Sequence, residues 1–153
     1  VVCFFGDGAA EEDYVLSAIG VAGSKKLPIL FICEDNDLSV LTPTNDRRNW
    51  DLLEVVKAFG LEAVDITDDP WLVDHWTKHL TQNLPALINV RTCRELWHVG
   101  TGCDGPPEWN RFELVKEALR ELDIGSEVDQ IENDVVEMIN NLWDERSQIQ
   151  FGN

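Results

Sequence analysis

VVCFFGDGAAEEDYV, residues 1 to 15, runs from an unbroken apolar stretch through a glycine turn into acidic residues and then into helical spacing. A short continuous apolar run closed by glycine reads as a buried parallel strand. The recurrence of Tyr14, Val15, Ala18, Ile19 and Ala22 predicts a helix from Glu11 to about Gly23, with Glu11, Glu12 and Asp13 in its first turn, where the macrodipole favours carboxylates. Strand, Gly-x-Gly turn and helix in succession aim free backbone N–H groups at an anion. Yet Asp7, at the centre of that turn, carries the wrong charge for an anion site.

The rest of the chain repeats the alternation. LPILFIC (27 to 33) reads as a second buried strand, and the loop EDNDLSVLTPTNDRR follows, in which LSVL suggests a short extension. A helix is expected from Trp50 to Phe59 with Gly60 as its stop, then a strand over EAVDIT, then a helix from Pro70 to about Asn83 with proline in first position. PALINVRTC (85 to 93) is another strand, and helices are expected over about 109 to 122 and 127 to 149, separated at Gly125, with Ser126 as an N-cap. Strands alternating with helices imply right-handed crossovers, hence an α/β fold: a parallel sheet with helices on both faces. The expected division is an α/β domain over 1–122 and a C-terminal helical extension over 123–153. In the last helix Val128, Ile131, Val135, Met138, Leu142 and Ile149 lie near a heptad stripe, suited to packing on this chain or on a partner.

Two glycine signatures fail here. The dinucleotide-binding fingerprint needs a third glycine where Glu11 stands, and no Walker lysine follows the turn. Two anions at contact distance in a partly buried site repel by several kcal/mol, roughly, so Asp7 beside a diphosphate calls for a cation between them. Magnesium takes about six oxygen ligands, one or two from protein side chains and others from phosphate and water. A second hard ligand is offered by Asn36, just past the end of the next predicted strand, with the Leu38 carbonyl two residues on. Ligands of open α/β sheets bind in the crevice at the carboxyl ends of neighbouring strands, which is where Asp7 and Asn36 would meet.

Composition agrees with one globular domain: 153 residues, 44% hydrophobic and 27% charged. A net charge of -17 opposes nucleic acid and anionic membranes, and no apolar run nears the roughly 18 residues that span a bilayer. Cys3, Cys33, Cys93 and Cys103 are unpaired in spacing, as in a reducing compartment, and the chain is expected to be intracellular. Opening on Val1 within a strand-like run, it reads as a piece of a longer polypeptide.

The block GDGAAEEDYVLSAIGVAGSKKLPILFICEDNDLSVLTPT, residues 6 to 44, resembles the thiamine diphosphate motif, which opens with Gly-Asp-Gly and closes with an asparagine. More narrowly it looks like the alpha subunit of the dehydrogenase (decarboxylating) component of 2-oxo acid dehydrogenase complexes. The resemblance implies a thiamine diphosphate-binding fold in which Asp7, Asn36 and the Leu38 carbonyl hold Mg²⁺, and Gly6, Gly8 and Ala9 face the cofactor diphosphate. PALINVRTCRELWHVGTG, residues 85 to 102, is similar to the family's strand and histidine loop, with Arg94 on its arginine and His98 on the histidine that reaches cofactor and substrate. Cys93, Trp97 and Val99 depart from the pattern. Because Val99 replaces a serine phosphorylated in some members, that modification is not expected.

The family likeness also implies a pyrimidine-domain (beta-like) partner, a lipoyl acyltransferase, a small 2-oxo acid substrate, oligomeric assembly, and a cytoplasmic location or the mitochondrial matrix in a eukaryote. Transketolase-like or decarboxylase-like chemistry, or a catalytically silent Mg²⁺-dependent assembly fragment, are the rival readings. Other residues point to structure. His75 and His79 are at zinc-ligand spacing but lack the glutamate of a zinc protease, and Cys93, His98 and Cys103 have no fourth ligand. Trp71, Trp76 and Trp109 are expected to fill core or interface space.

Overall fold

In a computed structural model describing residues 1–96 and 102–147, the chain divides into two compact units, Val1–Arg111 and Phe112–Asn153. The first contains β1 (Val2–Gly6), α1 (Asp13–Lys25), β2 (Leu30–Asp35), the two-residue strands β3 (Leu38–Ser39) and β4 (Thr42–Pro43), and the one-turn helix α2 (Thr44–Arg47). It continues through α3 (Leu52–Ala58), β5 (Glu62–Thr67), α4 (Pro70–Leu80) and β6 (Ala86–Arg91). Four strands form one parallel sheet in the order β1-β2-β6-β5, and β3 and β4 form a small antiparallel hairpin beyond it.

Alternation along the strands builds a core on each face. Phe31, Cys33 and Leu87 point to one side and pack with Ile19 and Ala22 of α1 and Leu52 and Val56 of α3. Leu30, Ile32, Ile66, Ala86, Ile88 and Val90 point to the other, where Leu80, Val73 and Trp76 of α4 meet them. Helices thus cover both faces, as the alternating pattern implied. Each fully buried Leu or Ile contributes about 1.5–3 kcal/mol relative to leaving it in water. That is why the central strands β2 and β6 carry apolar residues at consecutive positions.

Four expectations are corrected. First, β1 is an edge strand and not a buried one: Val2 and Phe4 are 49% and 63% exposed, because they share the face whose core gathers around α4 and reaches β2 but no residue of β1. Second, the first helix begins at Asp13, after a 3-10 turn over Ala9–Glu11, so Glu11 is not in its first turn. Third, β2 begins at Leu30 instead of Leu27 and extends to Asp35. Fourth, Gly125 does not separate two helices but opens the second, so Ser126 is no N-cap. A Cβ at Gly125 would lie 2.7 Å from Arg120 Cγ, and the chain reverses instead at Asp123, whose φ is 61°. α4 begins at Pro70 as expected, with Asp69 Oδ1 accepting from the N–H groups of Trp71 and Leu72.

Helices α5 (Arg111–Glu121) and α6 (Gly125–Ser147) make up the rest, α5 starting on the last residue of the first unit. Lys116 on α5 holds Glu132 on α6 at 2.7 Å, and Arg120 reaches Asp129 at 3.3 Å. Of the heptad-like stripe, Ile131, Val135, Met138 and Leu142 are exposed and Val128 is half-buried, while Ile149 lies outside the described residues.

Candidate functional site

Parallel pairing places the ends of β1 and β2 side by side, with Gly6 opposite Glu34 and the Asp7 N–H donating to the Glu34 carbonyl at 3.3 Å. From that edge β1 turns into the 3-10 segment through Gly8 and Ala9, where N–H groups opening a helix have no partner within it. On the neighbouring strand β2 runs out at Asp35. Asn36 and Asp37 turn the chain, Asp37 at φ 62° with its N–H on Asp35 Oδ1 at 2.9 Å, and the β3–β4 hairpin folds back over the glycine turn.

Gly8 marks the contact between the two. Its φ is -66°, which any residue adopts, so backbone freedom does not explain the glycine. A Cβ there would lie 2.6 Å from Ser39 Oγ and 2.8 Å from Ser39 Cβ. At Gly6 the nearest atom to such a Cβ is the Glu34 carbonyl oxygen at 3.8 Å, an ordinary contact. Gly8→Ala should therefore destabilise the fold by about 1–3 kcal/mol, as overpacking does, and Gly8→Ala with Ser39→Gly should recover most of it. Urea midpoints of both variants check this, and an unchanged midpoint for the single substitution would count against the contact.

Asp7 is buried, its side chain 3% exposed, and its carboxylate already faces a cation. Arg47 Nη2 donates to Asp7 Oδ2 at 2.6 Å and to Thr44 Oγ1 at 2.9 Å, while the Thr44 hydroxyl lies 3.4 Å from Asp7 Oδ2. Arg47 Nε is 3.1 Å from Glu11 Oε1. Arg48 Nη1 donates to the Asp7 carbonyl at 3.3 Å and lies 3.7 Å from Glu11, and its guanidinium rests over the Trp50 ring at 4.6 Å. Two carboxylates and two guanidinium groups thus neutralise one another around the turn.

Asn36 is held from a distance. Its Nδ2 donates to Asp104 Oδ2 at 2.8 Å, which fixes the amide end that faces Asp104 as the nitrogen. Asp104 also takes the Arg94 guanidinium in a two-pronged pair at 2.7 and 3.0 Å and the Arg94 N–H at 3.1 Å. Burial opposes ionisation of Asp104, but the bonds from Arg94 and Asn36 outweigh it and hold its carboxyl below the usual range. Leu38 opens β3 opposite Pro43, which has no N–H to donate to the Leu38 carbonyl.

The structure brings Gly6, Asp7, Gly8, Ala9, Asn36 and Leu38 to one edge of the sheet. His98 lies outside the described residues. Arg94 is tied to Asp104, and Glu12 is exposed at the N-terminus of α1 without a side-chain capping bond. The sequence reading missed Thr44, Arg47, Arg48 and Asp104. A signal existed for the arginines, since they are the only basic residues between Glu34 and Asp51, in a stretch otherwise acidic or neutral. None existed for Asp104, which meets Asn36 across 68 residues.

Beside this edge a polar cavity of about 380 Å³ is lined by residues including Asp35, Arg48, Asp65, Asn89 and Arg91. Asn89, buried in β6, donates from Nδ2 to Asp35 and Asp65 at 3.0 Å each. His75 and His79 are exposed with parallel rings 6.4 Å apart. Trp76 packs on the core, whereas Trp71 and Trp109 are half exposed or more. Burial, with Asp35 and Asp7 adding to it, pushes the Cys33 thiol far up, so it is inert. Among the described residues no group of three or more His, Cys, Asp or Glu is arranged to hold a metal, and no helix is long and apolar enough to cross a membrane. The expected ligand set, one carboxylate with an amide and a carbonyl oxygen, is not of that multi-acid kind.

The family model for the dehydrogenase E1 component matches residues 1–98. The mitochondrial 2-oxoisovalerate dehydrogenase subunit alpha of Caenorhabditis elegans is 34% identical over 109 residues, covering 67% of this chain and 25% of the relative. Its mouse counterpart is 29% identical over 111 residues, covering 68% and 25%. The chain therefore spans about a quarter of the length of these relatives. Among solved structures, transketolase from Campylobacter jejuni superposes with a TM-score of 0.57 at 24% identity, over 60% of this chain and 15% of that one. A Pichia stipitis transketolase mutant gives 0.59 at 22% identity, over 68% and 16%. These two show a shared fold.

Proposed function

The chain belongs to the dehydrogenase E1 component family of thiamine diphosphate-dependent enzymes, and from that premise we propose that it is the diphosphate-binding part of a 2-oxo acid dehydrogenase alpha subunit. The observation that carries this is the buried Asp7 one residue past β1, with Asn36 one residue past the neighbouring parallel strand β2. The donor set of Asp7 carboxylate, Asn36 amide oxygen and Leu38 carbonyl is hard oxygen throughout, which suits Mg²⁺.

The residues divide the work as follows. Asp7, Asn36 and Leu38 would hold the metal. Gly8 and Ala9, opening the 3-10 turn, would present N–H groups to the diphosphate, as helix N-termini do. The contact between Gly8 and Ser39 brings the Leu38 strand against that turn, so one packing event sets two parts of the site. Asp104 keeps Asn36 oriented, as groups behind metal ligands do. When bound, the cofactor supplies a nucleophilic carbon and an electron sink for decarboxylating a 2-oxo acid. His98, seven residues past the end of β6 in the sequence, would serve in proton transfer or in binding the substrate carboxylate.

A pyrimidine-domain (beta-like) subunit or domain would complete the cofactor site, and a lipoyl acyltransferase would take the acyl group. We expect the 153 residues alone to be inactive towards 2-oxo acids and to support decarboxylation once joined to a pyrimidine-domain partner. Release of CO₂ from a branched-chain 2-oxo acid, followed with and without that partner, checks this. Turnover by the chain alone would contradict it.

A further inference from the structure

Asp7, the expected metal ligand, is already occupied by the Arg47 guanidinium at 2.6 Å. An arginine keeps its charge in proteins, so it cannot step aside by losing its proton. A divalent cation on the same carboxylate would sit within a few ångströms of it, and the two charges would repel strongly in a buried place. Either the metal stays away or Arg47 moves.

Its surroundings allow movement. Arg47 ends α2, a single helical turn whose Asn45 and Asp46 are exposed, and the turn is tied to β2's extension by the Thr44 N–H on the Asp37 carbonyl at 3.1 Å. Donors wait there as well: Arg47 Nη1 and Arg48 Nε are buried and make no hydrogen bond. Buried donors of a charged group are seldom left unmade, and an anion with several oxygens satisfies them best. The balance of charge agrees. Asp7, Glu11, Arg47 and Arg48 are neutral together, so a divalent cation entering alone would leave the cluster positive, whereas a cation and a diphosphate entering together would not.

Building on the proposed cofactor site, we propose that Arg47 is an exchangeable counter-ion: it neutralises Asp7 while the site is empty of metal, and moves to the diphosphate when metal and cofactor bind. Metal loading is thereby coupled to cofactor loading, because the guanidinium that must leave Asp7 finds its new acceptor only on the anion.

Arg47→Gln separates the two roles. Titration of the chain with Mn²⁺ alone, followed by electron paramagnetic resonance, should show the variant binding at least about tenfold tighter than wild type, the equivalent of one charge-assisted hydrogen bond no longer competing. At saturating Mg²⁺, calorimetry with thiamine diphosphate should show the opposite, a weaker cofactor. Arg47→Lys keeps the charge and loses the fork, so it should fall between them, and it serves if the glutamine variant fails to fold. Equal or weaker Mn²⁺ binding by both variants would overturn the exchange, as would cofactor binding to wild type that is undiminished in EDTA, since Arg47 would then stand permanently in place of the metal. Absence of Mn²⁺ from every variant even with cofactor present would sink the metal site itself, and the exchange with it.

Discussion

Asp7→Asn should weaken magnesium-dependent binding of thiamine diphosphate at least about a hundredfold, because an amide of the same shape gives the cation no charge to meet. Stability falls too. Asp7 and Arg47 form a buried pair, with side chains 3% and 11% exposed, and stripping one partner from such a pair costs about 3–5 kcal/mol. The lower end applies here, because Glu11 still holds the Arg47 Nε side at 3.1 Å. Calorimetric titration at several Mg²⁺ concentrations, on protein shown to be folded by circular dichroism, reads the first effect, and urea unfolding the second. A folded Asp7→Asn chain that binds cofactor as wild type does would remove the carboxylate from the site.

Asp104→Ala should raise the Mg²⁺ concentration that half-saturates cofactor binding by about 10- to 100-fold, the range seen when a group that orients a metal ligand is lost. Asp104 touches neither metal nor cofactor in this account. It acts by holding Asn36 Nδ2 at 2.8 Å and Arg94 at 2.7 and 3.0 Å, so its removal frees the Asn36 amide to rotate. A purely structural role would lower stability and leave the Mg²⁺ dependence alone. The lowered pKa of Asp104 adds a pH signature. A carboxyl depressed in the folded state stabilises fully above its ordinary pKa, about 3.9, and loses that contribution as pH falls through the lower folded value. The stability gap between wild type and Asp104→Asn should accordingly be full near neutrality and close in strong acid.

Much of this was legible in the sequence for physical reasons. EAVDIT and the Pro70 helix were read correctly because local signals fixed them: alternating branched residues in one case, a proline in first helical position in the other. Asp7 and Asn36 stood out as a pair because each follows a strand, and parallel strands end together. β1 was misjudged because an edge strand and a central one are equally apolar here; the core around α4 reaches β2 and leaves Val2 and Phe4 uncovered. α2 is a single turn, too short to carry a periodic signal. Arg47 meets Asp7 across 40 residues and Asp104 meets Asn36 across 68, so both contacts are products of the assembled sheet edge.

The central question is whether this edge takes a metal-bound diphosphate. Isothermal titration of thiamine diphosphate into the chain in Mg²⁺, and again in EDTA, measures that directly. One saturable site in Mg²⁺ and none in EDTA is the predicted result. No binding in either buffer, with a pyrimidine-domain partner also present, would contradict it.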